Sequence, residues 1–263
     1  MGVVGKALLL GGLAALLYLE RKFPLRHSVE PGPRRLVRNL ATGAVTAAVV
    51  SSIERPIVIR LSRMTEERGW GIVPKLAARE ALKKAVALAL MDYTLYWWHV
   101  LLHRVPALWR THEPHHIDRD LDTSTALRFH FSEFLASVPW RCIQIVAIGV
   151  GPRTLKLWQQ LTLAEVLFHH SNMRLPRALE HLLAVIVVTP RLHGVHHSIL
   201  LPERDSNFSS GLTLWDRLHG TGRFDLDCED VTIGLPDHQQ PQDVTLAKTL
   251  ALPFERPARS AME

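Results

Sequence analysis

The sequence predicts an all-α membrane protein with about four spanning helices and a candidate short fifth. Apolar residues make up 47% of the 263-residue chain, and its net charge at neutral pH is +6. The apolar residues are concentrated in five stretches, and a spanning helix needs about 20 mostly apolar residues. Long apolar segments with basic flanks are typical of membrane proteins. These observations together predict the fold class.

The five apolar stretches differ in how well they fit a bilayer. They cover residues 3–19, 40–61, 81–102, 131–150 and 155–168. The first and third are clear spans. Glu54, Arg55 and Pro56 interrupt the second, Arg141 lies inside the fourth, and the fifth is short. The first stretch precedes its basic residues, whereas a secretory signal carries its charge first. We therefore expect it to be a span rather than a removed signal.

The basic loop between the first two spans predicts the orientation. It contains Arg21, Lys22, Arg26, Arg34, Arg35 and Arg38. Positively charged loops remain in the cytoplasm, so the amino terminus is expected outside and the ends of the third and fifth spans inside. The next loop, with Arg63, Arg68, Lys75 and Arg79, counts against this orientation.

Composition argues against two other classes of protein. Nucleic-acid binding would require a basic stripe and a recognisable module, and the sequence shows neither. Cys142 and Cys228 are the only cysteines. Two cysteines in a chain of this size do not make a disulfide framework, so a reducing environment is expected.

Fifteen histidines form the compositional outlier, and the first cluster ends the third span. His99 and His103 are four residues apart, which places them on one face of a helix. Asp92 and Tyr96 extend that face. The alternative to a metal-binding pair is that His99 and His103 are simply two polar residues at a helix end.

Two further clusters share the pattern H-x-x-H-H. They are His112, His115 and His116, and His193, His196 and His197. Thr111 is expected to cap a helix with Pro114 in its first turn, and Thr189 and Pro190 to open the other. Three imidazoles from one helical turn could cover one side of a metal ion, and imidazole is a common iron and zinc ligand.

The remaining histidines are weaker candidates. His130 begins the fourth span and is either a ligand or a helix-capping residue. His169 and His170 end the fifth stretch, and one of them is expected to face the clusters. The others are expected on the surface: His27, His181, His219 and His238.

Eight clustered histidines exceed the four ligands of a closed zinc site, so two ions fit better. A histidine-rich metal transporter and a non-catalytic metal-binding scaffold remain alternatives. Transporters, however, place ligands near the bilayer midplane. Here the histidines lie at helix ends, where a lipid chain and dissolved oxygen can both arrive.

The histidine motifs HVLLH, HEPHH and HGVHH resemble the three histidine boxes of the fatty acid hydroxylase (sterol desaturase) superfamily. Residues 122–130 (DTSTALRFH), 168–176 (FHHSNMRLP) and 205–221 (DSNFSSGLTLWDRLHGT) resemble its bacterial branch in order and spacing. This similarity divides the chain into N-terminal spans (1–80), a catalytic domain (81–223) and a polar tail (224–263). It implies a membrane oxidoreductase of the bacterial inner membrane, with a cytosolic helical cap that holds the histidine boxes.

The resemblance also implies the site. The metal ligands would be His99, His103, His112, His115, His116, His130, His170, His193, His196 and His197, with His169 as the substitute for His170. Asp92, Asn207 and Asp216 would lie beyond the ligands and orient their rings, or Asp92 would instead line the substrate cavity.

The implied cofactors are two iron ions, with O2 as co-substrate and zinc as a possible substitute metal. A lipid is the implied substrate, and hydroxylation, desaturation and ether cleavage stay open. The sequence contains no nucleotide, flavin or haem motif, so an external reductase, ferredoxin or cytochrome must supply electrons.

Overall fold

The protein folds into helices joined by short loops, with no β-strand among the residues that its structure describes. A computed structural model describes residues 3–30, 32–224 and 231–255, with side chains from residue 11 onward. The longer helices are α1 (Val3–Lys22), α2 (Pro33–Val49), α3 (Arg55–Arg68), α4 (Glu80–Arg104), α5 (Pro106–His116), α6 (Phe131–Ile148) and α7 (Pro152–His170). The shorter ones are α8 (Arg177–Ala184), α9 (Pro190–His196), α10 (Leu201–Arg204), α11 (Leu214–His219) and α12 (Leu246–Ala251). The all-α membrane fold is confirmed.

Three of the predicted spans are long and apolar enough to cross a membrane. They are the stretches Pro33–Lys75, Glu80–Arg104 and Phe131–Ile148. The first predicted span forms α1, and the side chains of its residues 3–10 lie outside the described part of the chain. The fifth stretch forms α7, which is not among the three candidates. The number of spans therefore stays a prediction.

Proline and glycine set the helix boundaries. Val105 is extended (φ −103°, ψ 112°), as expected for a residue before proline, so α4 ends and Pro106 opens α5. Gly149 ends α6 in the left-handed region (φ 91°), where a Cβ atom would lie 2.4 Å from Pro74 Cδ. The sharp turns after α4 and α6 let the next helix pack beside the one before it.

The second span contains a π-helical turn. Residues Val50–Glu54 form this turn between α2 and α3, and Pro56 follows in the first turn of α3. Proline lacks the N–H that an α-helix requires at this point. The sequence interruption at Glu54–Pro56 therefore changes the helical geometry without ending the span.

An apolar core lies between the spanning helices. Its buried members include Val58, Met91, Ile145, Leu155 and Trp158, from α3, α4, α6 and α7. In a second apolar cluster, Trp109 and Ile117 pack with Leu235, Val244 and Leu252 from the C-terminal part of the chain. The described tail residues thus share a core with α5 and the residue that follows it.

A buried ion cluster joins the start of α2 to the loop after α5. Asp118 is fully buried and pairs with Arg35 at 2.8 Å and Arg38 at 3.5 Å. Burial alone would raise the pKa of Asp118, but the facing guanidinium groups of Arg35 and Arg128 hold it below its ordinary value. This cluster fixes the loop that leads to α6.

Candidate metal centre

Nine of the ten predicted histidine ligands lie in two compact groups where α4, α5, α7 and α9 meet. The first group is His99, His103, His112, His116 and His196; the second is His115, His170, His193 and His197. Within each group, one ring nitrogen per residue lies within 4.8 Å of the others. Each group could therefore hold a metal ion.

Each H-x-x-H-H box is divided between the two groups. His112 and His116 belong to the first group, whereas His115 belongs to the second. The expectation that one box covers one side of one ion was wrong. The side chains of successive helical residues point about 100° apart around the helix axis. Two histidines four positions apart therefore share a face, while the remaining histidine of the box points in another direction. Both H-x-x-H-H boxes thus contribute to both groups, whereas His99 and His103 both belong to the first group.

The two box helices begin differently from each other. Thr189 caps α9, accepting a hydrogen bond from the Leu192 backbone N–H, and Pro190 follows as expected. The predicted start at Thr111 was wrong, because α5 already begins at Pro106 and Thr111 Oγ1 donates to the Leu108 carbonyl. Pro106 is itself a favourable first helical residue.

Backbone carbonyls of one loop set the orientation of two imidazoles in the first group. His99 Nδ1 donates to the Phe208 carbonyl at 2.7 Å, and His196 Nδ1 donates to the Ser206 carbonyl at 2.8 Å. A carbonyl only accepts, so the proton lies on Nδ1 and the lone pair on Nε2. Such hydrogen bonds are typical behind metal-bound imidazoles.

His112 receives the same support from a carboxylate that the sequence analysis did not single out. Its Nδ1 donates to Glu133 Oε2 at 2.9 Å, and Glu133 is buried in the first turn of α6. A glutamate at the start of an apolar span was the available signal. Glu133 lies three residues after His130, which was the residue predicted as a ligand.

Facing ring nitrogens show that the groups fit a cation. His170 Nδ1 donates to the Val166 carbonyl, so its Nε2 lone pair faces Nε2 of His115 and of His193, each at 3.0 Å. Nitrogen atoms bound at about 2.1 Å to one ion also lie about 3 Å apart when the angle is near 90°. A cation between them would remove the repulsion between lone pairs.

Burial keeps the imidazoles neutral and ready to bind. Burial lowers the pKa of His115, His116, His193, His196 and His197, and neighbouring imidazoles lower it further. Only the neutral ring has a free lone pair for a metal. His103 is also buried, and neither of its ring nitrogens has a hydrogen-bond partner among the described residues.

The loop that supports His99 and His196 is itself held by Asp216 and Asn207, two of the predicted supporting residues. Asp216 accepts hydrogen bonds from the backbone N–H groups of Phe208 and Ser209, at 2.9 and 3.0 Å. Asn207 is left-handed (φ 51°) and its side chain donates to the Leu192 carbonyl at 2.9 Å. Both therefore act on the imidazoles through the loop backbone.

Asp92 anchors the far end of the same loop to α4. Its Oδ2 accepts from the Leu212 backbone N–H at 3.0 Å and from Trp215 Nε1 at 2.7 Å. Among the described residues the Asp92 carboxylate thus holds this loop, and no hydrogen bond joins it to an imidazole.

His130 lies apart from both groups. Its Nδ1 accepts the Ser132 backbone N–H at 3.2 Å, which caps α6, and its ring packs against Phe131 and Phe254. The structure thus does not bring His130 to the predicted ligand set. It favours the capping role instead.

The remaining histidines separate clearly. His170 is in the second group, while His169 donates from Nδ1 to the Ser210 carbonyl at 3.0 Å and lies beside His193. His27, His181 and His219 are exposed as expected. His238 was wrongly expected on the surface: it is buried, with Nε2 3.7 Å from Glu113.

Cys142 is a free thiol, and Cys228 lies outside the described residues.

A cavity of about 330 Å³ extends from the histidine groups into the spanning helices. Six histidines line this cavity: His99, His112, His115, His169, His170 and His193. Apolar side chains such as Leu102, Phe129, Phe134 and Val166 line it as well. An apolar chain in this cavity would lie directly beside both groups.

The sequence profile of the fatty acid hydroxylase family matches residues 84–221, just over half of the chain. The chain belongs to the fatty acid hydroxylase family. The matched region contains both histidine groups, Glu133 and the loop that holds His99 and His196.

Curated relatives match about half of the chain. The chain is 33% identical over 142 residues to the ornithine lipid hydroxylase OlsE of Rhizobium tropici, covering 54% of this chain and 42% of the relative. It is 30% identical over 147 residues to the alkylglycerol monooxygenase of Homo sapiens, covering 55% and 31%. A cholesterol 25-hydroxylase-like protein of Danio rerio is 31% identical over 147 residues, covering 54% and 55%.

The chain thus spans about a third to just over half the length of these relatives. No solved structure gives a significant match. The relatives oxidise lipids according to their names, but those names concern the whole relatives.

Proposed function

We propose that this chain is a membrane-bound, O2-dependent lipid hydroxylase or desaturase with two iron ions in its histidine groups. The observation that carries the proposal is the contact between the two groups and the apolar cavity. Six histidines form one wall of a cavity whose other walls are largely hydrocarbon. A buried lipid chain and the metal ligands therefore share one enclosed space.

The proposed ligands follow the geometry. One ion would be bound by His99, His103, His112, His116 and His196, and the other by His115, His170, His193 and His197. Nine imidazoles without a thiolate suit iron, and zinc could occupy the same nitrogens as a substitute. Bound iron would supply the reduction of O2 and the oxidation of a C–H bond.

The chain's own residues would hold the metals and exclude water. The carbonyls of Ser206 and Phe208 and the carboxylate of Glu133 fix the ring orientations. Phe129 stacks on the buried His115 at 4.2 Å between ring centroids. Preorganised ligands in a dry site are the protein's contribution to metal-centred oxidation.

The proposed setting is the inner membrane of a bacterium, with the histidine groups on the cytoplasmic side. A cytoplasmic reductase, ferredoxin or cytochrome would supply the electrons. The names of the matched relatives support a lipid substrate, and they support hydroxylation more than desaturation.

Metal analysis together with turnover tests this proposal. The purified protein in lipid nanodiscs is expected to contain two iron ions per chain. It should consume O2 and oxidise an added lipid extract when a reductant is present. His115→Ala and His196→Ala should each abolish turnover. Full turnover in either variant would contradict the assignment, and ion flux into sealed proteoliposomes without O2 consumption would indicate a transporter instead.

A further inference from the structure

The far end of the cavity is polar, which the oxidation of a plain hydrocarbon chain does not require. Glu54, Arg141 and Trp158 line this end. Arg141 lies eight residues beyond Glu133 on α6, which corresponds to about 12 Å along the helix. Trp158 lies twelve residues before His170 on α7, which corresponds to about 18 Å. The polar end is thus separated from the histidines by the apolar part of the cavity.

The polar atoms at this end lack some of their partners. Glu54 is 4% exposed; its Oε1 lies 3.0 Å from Arg141 Nε, but its Oε2 has no hydrogen-bond partner among the described residues. Trp158 Nε1 is also buried without a partner in the described part of the chain. The Arg141 guanidinium stacks on the Trp158 ring at 5.0 Å. Buried polar atoms without partners destabilise a protein unless a ligand satisfies them.

The backbone at Glu54 supports a functional role for this end. Glu54 closes the π-helical turn Val50–Glu54, and π turns inside α-helices are frequent at functional sites. A buried ion pair is weak evidence for stability, since well-packed apolar residues often serve as well. An ion pair beside unsatisfied atoms in a lipid-sized cavity is better explained by recognition.

The partnerless atoms define the chemistry of the missing group. Glu54 Oε2 can only accept a hydrogen bond, while Arg141 and Trp158 can only donate. A hydroxyl group does both. A carboxylate would face Glu54, an ammonium group would face Arg141, and a full charge is costly to bury.

We propose that Glu54, Arg141 and Trp158 bind the hydroxyl group of a neutral lipid alcohol whose hydrocarbon extends towards the histidines. This proposal rests on the proposed function for its use of the cavity as a lipid site. It deepens that function by naming the substrate class and the end of the substrate that is recognised. The oxidised carbon then lies about 12–18 Å from the hydroxyl group.

Equilibrium binding tests the proposal without requiring turnover. Tritiated dodecan-1-ol is bound to the metal-loaded protein in nanodiscs and displaced by dodecyl methyl ether, dodecanoate or dodecylamine. The alcohol is expected to bind at least about tenfold more tightly than the ether, because only the hydroxyl can donate to Glu54. Dodecanoate and dodecylamine are expected to compete more weakly than the alcohol.

A double variant removes the anchor without leaving a buried charge. Glu54→Leu with Arg141→Leu replaces the ion pair by apolar residues, a change that proteins often tolerate. It should retain its metal content and bind the alcohol and the ether within about twofold of each other. The matched control is Arg63→Leu with Glu67→Leu, which removes the same two residue types from exposed positions of α3 and should keep the wild-type preference.

The outcomes separate this proposal from the proposed function. Absence of a wild-type preference for the alcohol, equal or better competition by the acid or amine, or an unchanged preference in the double variant would each overturn it. Loss of O2 consumption with the preference intact would instead contradict the oxygenase assignment alone.

Discussion

His112 and Glu133 join the metal centre to the membrane helices through one hydrogen bond. The imidazole Nδ1 donates to the carboxylate Oε2 at 2.9 Å, between α5 and the first turn of α6. Both side chains are buried. The carboxylate therefore fixes the ring that must present Nε2 to an ion.

Glu133→Gln is expected to weaken metal binding by about 10- to 100-fold, since hydrogen bonds behind ligands fix their orientation and basicity. Competition with a calibrated chelator measures the change. Glu180→Gln serves as the control because Glu180 is buried but pairs with Arg191, at 3.1 Å. Equal metal affinity in the Glu133 variant and the wild type would show that this hydrogen bond has no such role.

His116→Ala and His197→Ala are expected to empty different sites, because these residues belong to different groups. Each variant should retain about one of two ions, since the other group keeps all of its imidazoles. Elemental analysis per chain measures this content. His181→Ala, which changes an exposed histidine, should keep both ions. Complete metal loss in both single variants would contradict two separate sites.

Asn207→Ala and Asn207→Gly separate backbone strain from hydrogen bonding. Both lose the side-chain hydrogen bonds to Leu192 and Arg223. Alanine should cost roughly 1 kcal/mol more than glycine, because only alanine is strained at a φ of 51°. Thermal unfolding in detergent provides the comparison. A glycine variant less stable than the alanine variant would contradict this account.

Asp118→Asn is expected to destabilise the protein by about 2–3 kcal/mol, because it removes the buried charge that faces Arg35 and Arg38, while Arg35 keeps its ion pair with Asp122. The lowered pKa of Asp118 also predicts a pH dependence. Its stabilisation is complete above the unfolded-state pKa of about 3.9 and is lost as the pH falls below it. Unfolding midpoints measured between pH 6 and pH 3 should fall less steeply in the variant. Parallel slopes would assign the acid sensitivity to other groups.

The sequence predicted the helical membrane fold and the histidines, because apolar length and helical spacing are local properties. It could not show that His115 and His116 separate into different groups, since that depends on how α5 faces α7 and α9. Glu133 was missed for a related reason. Its partner His112 lies 21 positions earlier, and only the packing of α6 on α5 brings them together.

His130 and His238 show the opposite limit. A histidine at the start of a span can be a ligand or a cap, and the choice depends on the Ser132 N–H that follows it. His238 follows a polar stretch, but Leu235 and Val244 on either side of it in the sequence pack against α5. His238 is buried in the segment between them. In both cases tertiary contacts decide what local composition leaves open.

The interleaving of the histidine boxes has a consequence for assembly. Each ion would act as a cross-link between distant segments of the sequence, one joining His99 to His196 and the other joining His115 to His197. Closing such long loops is entropically costly, and an ion bound only by the folded chain contributes its binding energy to that closure. The core between α3, α4, α6 and α7 requires no ion. Chelation should therefore open the histidine layer first, in a transition distinct from the loss of the membrane helices.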